Sequence, residues 1–267
     1  MPFAENHRVR LHWQEEGQGS PILLVMGHRY SSAMWYPILP ALAAEHRVIS
    51  FDNRGTGESD ATRKATVEDL AGDALAVMDA AKVERAHVFG VSMGGVVTLE
   101  LAMQQPRRVK SLLLGCTGML TADKPRMPAA LRVLYYLPPW VLRALQPRSD
   151  QGYGSAASPE EIAEALAMLA KDKFNTGGVV AQAAAIAGYS TTSAAVAALT
   201  LPALVLHGDE DGTVPYAYGV ELAETLSDSR MVTLEGAGHN FIVAGNAKAT
   251  KAVLDFIGEV DRAAATP

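Results

Sequence analysis

The chain has 267 residues, 49% of them hydrophobic and 19% charged, enough for one large α/β domain or two small ones. Its 23 Lys and Arg against 29 Asp and Glu leave a net charge of -6, which argues against a dedicated nucleic-acid binder with a basic footprint. The single cysteine, Cys116, excludes an internal disulfide framework and a zinc site built on several thiolates, and it suits a reducing compartment.

The opening, Met1 to Arg8, is polar and lacks the apolar stretch of a secretory signal, and no apolar run reaches the ~18 residues of a membrane span. The expectation is a soluble cytoplasmic protein without a membrane partner. Arg8 to Glu15 alternates as a half-exposed strand, and Gly17 and Gly19 mark a turn. Ile22 to Met26 is a continuous apolar run, as in a strand buried on both faces. Met34 to Glu45 reads as a helix and Arg47 to Phe51 as a strand, followed by the turn-rich run Asp52 to Ser59. A helix over Thr66 to Lys82 opens with Thr66 and Asp69 in capping-box spacing and places Leu70, Ala74, Val77, Met78 and Ala81 on one face.

A strand at Ala86 to Val91, a helix at Met93 to Gln105 stopped by Pro106, and a strand at Val109 to Leu114 follow. The alternation resumes with a strand at Ala203 to His207, a helix near Tyr216 to Leu226, a strand at Arg230 to Leu234 and a last helix from Asn246 to about Val260. Between Met119 and about Leu199 the pattern is helical, with candidates at Ala129 to Tyr136, Pro138 to Leu145, Pro159 to Lys171 and Gly178 to Ala187. The Ala-rich run Ala181 to Ala198 also reads as helix. The chain therefore divides into an α/β core, residues 1–118 and 200–267, and a helical cap, residues 119–199, inserted between two strands. The fold class is α/β, a mostly parallel sheet flanked by helices.

The sharpest chemical signal is Gly90-Val91-Ser92-Met93-Gly94, a G-x-S-x-G motif that ends an apolar strand and opens a helix. That setting suits a nucleophile elbow, in which the serine takes a positive φ and side chains at Gly90 and Gly94 would clash. A serine hydroxyl needs a base. Of seven histidines, His239 lies in the loop after a strand ending at Leu234, on the sheet edge where open α/β folds bind ligands. His7, His12, His46 and His87 read as solvated, and His207 as a half-buried packing residue. The base needs a carboxylate, for which Asp211 is the choice and Asp209 the near competitor, better suited to capping its own turn.

The order Ser92, Asp211, His239 differs from the chymotrypsin and subtilisin orders. Oxyanion donors are expected from the N–H of Met93 at a helix start and from that of His28 in the loop Gly27-His28-Arg29-Tyr30-Ser31. Asp52 to Ser59 reads as a structural loop, since it lacks the lysine of a phosphate-binding loop. His207, Asp209 and Asp211 show no metal-ligand spacing, so no metal is expected.

With Met26-Gly27 and Trp35, the run Asp52 to Ser59, the Ser92 elbow and the Asp211 and His239 loops in place, the chain resembles the α/β-hydrolase superfamily over nearly its whole length. Val91-Ser92-Met93-Gly94-Gly95, Leu204-Val205-Leu206-His207-Gly208 and Val214-Pro215 are similar to the 3-oxoadipate enol-lactonase-like and carboxylesterase group. The resemblance implies an eight-stranded sheet, a helical cap and no cofactor. Relatives commonly carry His-Gly followed by a small or apolar residue at the oxyanion strand, whereas this chain has Met26-Gly27-His28-Arg29. Gly27 and Arg29, with His28, are thus candidates for binding a substrate carboxylate or polar acyl group. The plainer alternative has the His28 and Arg29 side chains facing solvent. Tyr135 and Trp140 are further substrate-binding candidates from a cap rich in Met, Tyr and Trp, which favours an apolar or aromatic substrate.

The expected activity is cofactor-free serine hydrolysis of a small-molecule carboxylic ester or lactone. Hydrolysis of a C–C bond, thioester hydrolysis or perhydrolysis would use the same triad, and a non-enzymatic ligand receptor would use the same fold. Epoxide and haloalkane hydrolysis are disfavoured because relatives with those activities carry Asp where this chain has Ser92. The cap surface is compatible with a homodimer.

Overall fold

The computed structural model describes residues 2–124, 152–242 and 247–265, and the helices are numbered within those residues. The strands are β1 (Phe3–Asn6), β2 (Val9–Glu16), β3 (Pro21–Val25), β4 (Arg47–Phe51), β5 (Ala86–Val91), β6 (Val109–Gly115), β7 (Ala203–Gly208) and β8 (Ser229–Leu234). They form one eight-stranded sheet in the order β1-β2-β4-β3-β5-β6-β7-β8. The β1–β2 and β2–β4 pairs are antiparallel, and every later pair is parallel. Parallel pairing brings the C-terminal ends of β3 and β5 to β8 to one edge.

The central strands are mostly apolar because helices cover both faces. Side chains alternate along each strand, so Leu23 and Val25 pack into one layer and Ile22 and Leu24 into the other. The first layer holds α2 (Val67–Ala80), α3 (Met93–Gln104) and α7 (Tyr216–Thr225), and the second holds α1 (Leu39–Glu45) and α8 (Ala247–Ala265). Helix α8 buries Ala249, Val253, Phe256 and Ile257, a stripe at helical spacing. Each large aliphatic side chain so buried contributes about 1.5–3 kcal/mol. Thr66 and Asp69 form the reciprocal capping box at the start of α2, with Asp69 N–H to Thr66 Oγ1 at 3.1 Å and Thr66 N–H to Asp69 Oδ2 at 2.9 Å.

Among the described residues between β6 and β7 lie α4 (Pro159–Lys171), α5 (Thr176–Gly188) and α6 (Ser193–Ala197), and no strand beyond isolated bridges. The expected helices over 129–136 and 138–145 fall outside the described residues. Among the described residues no helix is long and apolar enough to cross a membrane.

Several expectations need correction. The single helix expected over Met34 to Glu45 is a 3-10 turn, Ser32–Trp35, followed by α1. Pro37 has no N–H to continue the turn, and Pro40 sits in the first turn of α1, where the missing N–H costs nothing. The short edge strand β1 was not expected. Only Ala4 of its four residues is buried, so its alternation is too brief to register, and its turn uses His7 and Arg8 at positive φ in place of glycine. The Ala-rich run Ala181 to Ala198 is two helices, with Thr192 capping α6 through the Ala195 N–H.

Three histidines expected to be solvated, His12, His46 and His87, are buried. His12 binds Asp52, and His87 binds Ser111 and Asp261, so two of the three found hydrogen-bond partners in the interior. His207 is fully buried, deeper than the half-buried position expected.

The loop after β4 is a buried polar framework. Asp52 accepts the Ser32 N–H at 2.8 Å and the Glu58 N–H at 3.0 Å, while Asn53 Nδ2 donates to the Met26 carbonyl at 2.9 Å. Arg54 and Asp73 form a bidentate pair with both contacts at 2.6 Å. Gly57 has φ 53°, and a Cβ there would lie 2.0 Å from an Asp52 oxygen. These contacts tie the end of β3 to the end of β4, next to the edge where the site lies.

Candidate active site

Ser92 stands between β5 and α3 with φ 54° and ψ -120°. A non-glycine residue in that region is strained, and its surroundings hold it there. A Cβ on Gly90 would come within 2.1 Å of the Gly94 carbonyl oxygen, and one on Gly94 within 2.0 Å of the Val25 carbonyl oxygen. The turn is therefore closed to side chains on both sides. Met93 opens α3, so its N–H has no carbonyl one turn back to bind and is available to a ligand oxygen.

His239 Nε2 lies 3.0 Å from Ser92 Oγ, and His239 Nδ1 lies 2.8 Å from Asp211 Oδ2. The other Asp211 oxygen accepts the N–H groups of Thr213 at 2.8 Å and Val214 at 2.9 Å. Burial alone would raise the Asp211 carboxyl pKa, but hydrogen bonds from His207 and His239 hold it well below the usual carboxylate range. An ionised Asp211 keeps the proton on His239 Nδ1 and leaves Nε2 as an acceptor toward Ser92. Asp209 does other work: its Oδ1 accepts the Gly236 N–H at 2.7 Å and so pins the loop that carries His239.

That loop is also held from the insertion. Gly238 N–H donates to the Tyr153 carbonyl at 2.8 Å, and Ala156 N–H to the Gly236 carbonyl at 2.8 Å. The backbones approach so closely that a Cβ on Gly154, at φ 80°, would lie 2.2 Å from the Gly236 oxygen.

Reading the sequence missed the role of His207. Its Nε2 lies 3.0 Å from the Val214 carbonyl and 3.2 Å from Asp211 Oδ2, so it backs the same carboxylate oxygen that His239 uses. A Cβ on Gly219 of α7 would lie 2.3 Å from its Nδ1, so that glycine makes room for the ring. The signal in the sequence was its position four residues before Asp211.

The loop after β3 runs along the serine. A Cβ on Gly27 would lie 3.3 Å from Ser92 Cβ. His28 and Arg29 both line the cleft, and neither side chain simply faces solvent. His28 Nε2 donates to the Val179 carbonyl of α5 at 3.0 Å, and burial pushes its pKa below the ordinary histidine value, so the ring is neutral. The Arg29 guanidinium lies over the Phe174 ring at 5.1 Å.

The cleft in front of Ser92 has a volume of about 830 Å³. Tyr30, Tyr153, Leu166, Leu169 and Ile242 give it apolar walls, and Arg29 and Glu210 add charge. Leu166 is 48% exposed, a large apolar side chain left open at this wall. Tyr135 and Trp140 lie outside the described residues. Cys116 also reaches the cleft, but burial pushes its thiol pKa well above the ordinary value, so it is neutral and a poor rival nucleophile. Among the described residues no group of three or more His, Cys, Asp or Glu side chains is arranged to hold a metal ion.

Residues 20–245 match the family model described as alpha/beta hydrolase fold. The chain is 30% identical, over 98% of its length and 100% of the relative's, to "Putative carbamate hydrolase RutD" of Azorhizobium caulinodans. Among solved structures it is similar to the enol-lactonase from Burkholderia xenovorans LB400, with TM-score 0.84 and 27% identity over 96% of this chain and 100% of that one. It is also similar to a thermophilic esterase from Thermogutta terrifontis, with TM-score 0.83 and 27% identity over 94% of each chain.

Proposed function

The chain belongs to the α/β-hydrolase fold family, and on that footing we propose that it is a serine hydrolase cleaving a carboxylic ester or lactone through an acyl-enzyme on Ser92. The observation that carries the reading is the relay of Ser92 Oγ to His239 Nε2 at 3.0 Å and His239 Nδ1 to Asp211 at 2.8 Å, at the floor of an apolar-walled cleft. In this reading His239 takes the hydroxyl proton as Ser92 Oγ bonds to the substrate carbonyl carbon. The carbonyl oxygen becomes an oxyanion facing the N–H groups of Met93 and His28. Collapse breaks the bond to the leaving oxygen, which takes the proton from His239 and departs as an alcohol. In a lactone it stays tethered as the hydroxyl of the product. Water then adds to the acyl-enzyme by the same proton path and releases the carboxylic acid, restoring Ser92.

Asp211 orients the ring and stabilises the imidazolium that forms twice in the cycle. The walls around Leu166 and Tyr153 favour an apolar or aromatic acyl group, with Arg29 available to a polar substituent.

The test is a panel of p-nitrophenyl esters of graded acyl length, simple lactones and aryl carbamates, run on the wild type and on Ser92→Ala with product analysis. Ester or lactone turnover that peaks at one acyl size and falls about 10⁴-fold or more in Ser92→Ala supports the reading. Turnover confined to carbamates, or C–C cleavage products from a diketone substrate, would move the chemistry elsewhere on the same triad. Saturable binding without turnover of any substrate would favour a receptor.

A further inference from the structure

Besides its bonds to the loop after β4, the loop after β3 is hydrogen-bonded to the insertion between β6 and β7. Arg29 N–H donates to Gln182 Oε1 at 2.9 Å, Ser31 N–H to Asp172 Oδ2 at 3.0 Å, and His28 Nε2 to the Val179 carbonyl at 3.0 Å. All three acceptors lie within residues 172–182. Val179 and Gln182 are three residues apart on α5 and so share a face.

Gln182 is fully buried, and its Nε2 donates to the Arg54 carbonyl at 2.9 Å. One side-chain amide thus joins the loops after β3 and β4, with its oxygen toward an N–H and its nitrogen toward a carbonyl. Arg29 has φ 77°, in the left-handed region that a non-glycine residue enters at a cost. The bond to Gln182 is made by the backbone of that strained residue, immediately after His28.

Helix α5 sits close against the core. A Cβ on Gly55 would lie 2.6 Å from Gly178 Cα, so the two backbones touch. Asn175 N–H donates to the Gly55 carbonyl at 2.8 Å, and Gly57 N–H to the Lys173 carbonyl at 2.7 Å.

We propose that Gln182 is a positioning residue for the oxyanion site: by holding the left-handed turn at Arg29 it sets the direction of the His28 N–H relative to Ser92. It touches no reacting atom, and its role rests on the serine hydrolase reading above. Seating α5 on the core is then a condition for transition-state stabilisation.

The test compares wild type, Gln182→Met and Gln182→Glu with p-nitrophenyl acetate, normalising rates to serines titrated by a fluorophosphonate. Inhibition constants are measured for phenylboronic acid, which forms a tetrahedral adduct, and for benzoate, a planar mimic of the ground state. Gln182→Met is expected to lower kcat per titrated serine by about 10²-fold, the cost of a misplacement near 1 Å. Its phenylboronic acid constant should rise by a similar factor, while KM and the benzoate constant stay within about threefold. Gln182→Glu keeps an acceptor for the Arg29 N–H and should lose about tenfold; it carries the test if Gln182→Met does not fold.

A kcat per titrated serine within twofold of wild type, with only the titre or melting temperature reduced, would overturn the inference and leave Gln182 as packing. So would parallel weakening of phenylboronic acid and benzoate. A wild type that neither labels nor turns over ester would instead overturn the serine hydrolase reading on which the inference stands.

Discussion

Replacing Asp211 by Asn changes one atom and is expected to cost nearly the whole contribution of the carboxylate. Asp211 is surrounded by donors: Thr213 and Val214 N–H on one oxygen at 2.8 and 2.9 Å, and His239 Nδ1 at 2.8 Å with His207 Nε2 at 3.2 Å on the other. An asparagine NH2 must face one of these pairs. Facing Thr213 and Val214, it sets N–H against N–H in a buried site. Facing the histidines, it drives His239 into the tautomer with the proton on Nε2, which then points a donor at Ser92 Oγ and cannot take its proton.

The expected loss in kcat/KM is about 10⁴-fold, equivalent to about 5.4 kcal/mol of barrier. The assay is p-nitrophenyl acetate hydrolysis per correctly folded protein, with far-UV dichroism as the folding control. Asp209→Asn serves as the discriminating partner. That side chain binds only the Gly236 N–H among the described contacts, and asparagine keeps an oxygen to accept it, so kcat/KM should fall by less than about tenfold, within the worth of a single hydrogen bond of about 1 kcal/mol. Asp211→Asn retaining more than a tenth of wild-type kcat/KM, or Asp209→Asn proving the more damaging, would refute this assignment of the two acids.

Other consequences follow from the geometry. Gly94→Ala places a Cβ 2.0 Å from the Val25 carbonyl oxygen, a rigid strand atom, and should cost at least the ~1–3 kcal/mol of core overpacking; an unchanged urea midpoint would contradict the close approach. His87 is held neutral because burial pushes its pKa down to about 4, against the raising influence of Asp261. An unfolded chain binds that proton near pH 6.5, so His87's contribution to stability is intact above about 6.5 and is lost as pH falls toward 4, by about 3 kcal/mol in all. In His87→Gln the decline in urea stability between pH 6.5 and 4 should flatten, and an identical slope would show that other groups carry it.

The parts of the molecule that were legible in the sequence are those whose cause is local. Ile22 to Val25 of β3 form a continuous apolar run because helices cover both faces, and that burial is visible in composition. Thr66 and Asp69 announce α2 because a capping box needs only two residues at fixed spacing. Gly90, Ser92 and Gly94 are legible for the same reason, since a tight turn restricts its own residues.

What stayed hidden depends on partners far along the chain. His12, His46 and His87 carry no sequence mark of burial; strand pairing of β2 with β4 brings Asp52 to His12, and α8, packed on the sheet, brings Asp261 to His87. His28 and Arg29 were read as candidates for the substrate or the solvent, whereas their closest protein contacts include the carbonyl of Val179 and the ring of Phe174, some 150 residues away. Gln182 sits in an Ala-rich helix where a lone polar residue reads as surface; only the seam between α5 and the loops after β3 and β4 makes it a buried bridge.

The central claim is that Ser92 is the nucleophile. Its most direct test is peptide mapping after fluorophosphonate treatment, with residual ester turnover measured on the same sample. The account predicts one adduct per chain on the peptide carrying Ser92, activity falling in proportion to labelling, and no adduct in Ser92→Ala. Full labelling at another residue, or turnover undiminished once Ser92 is fully labelled, would contradict it.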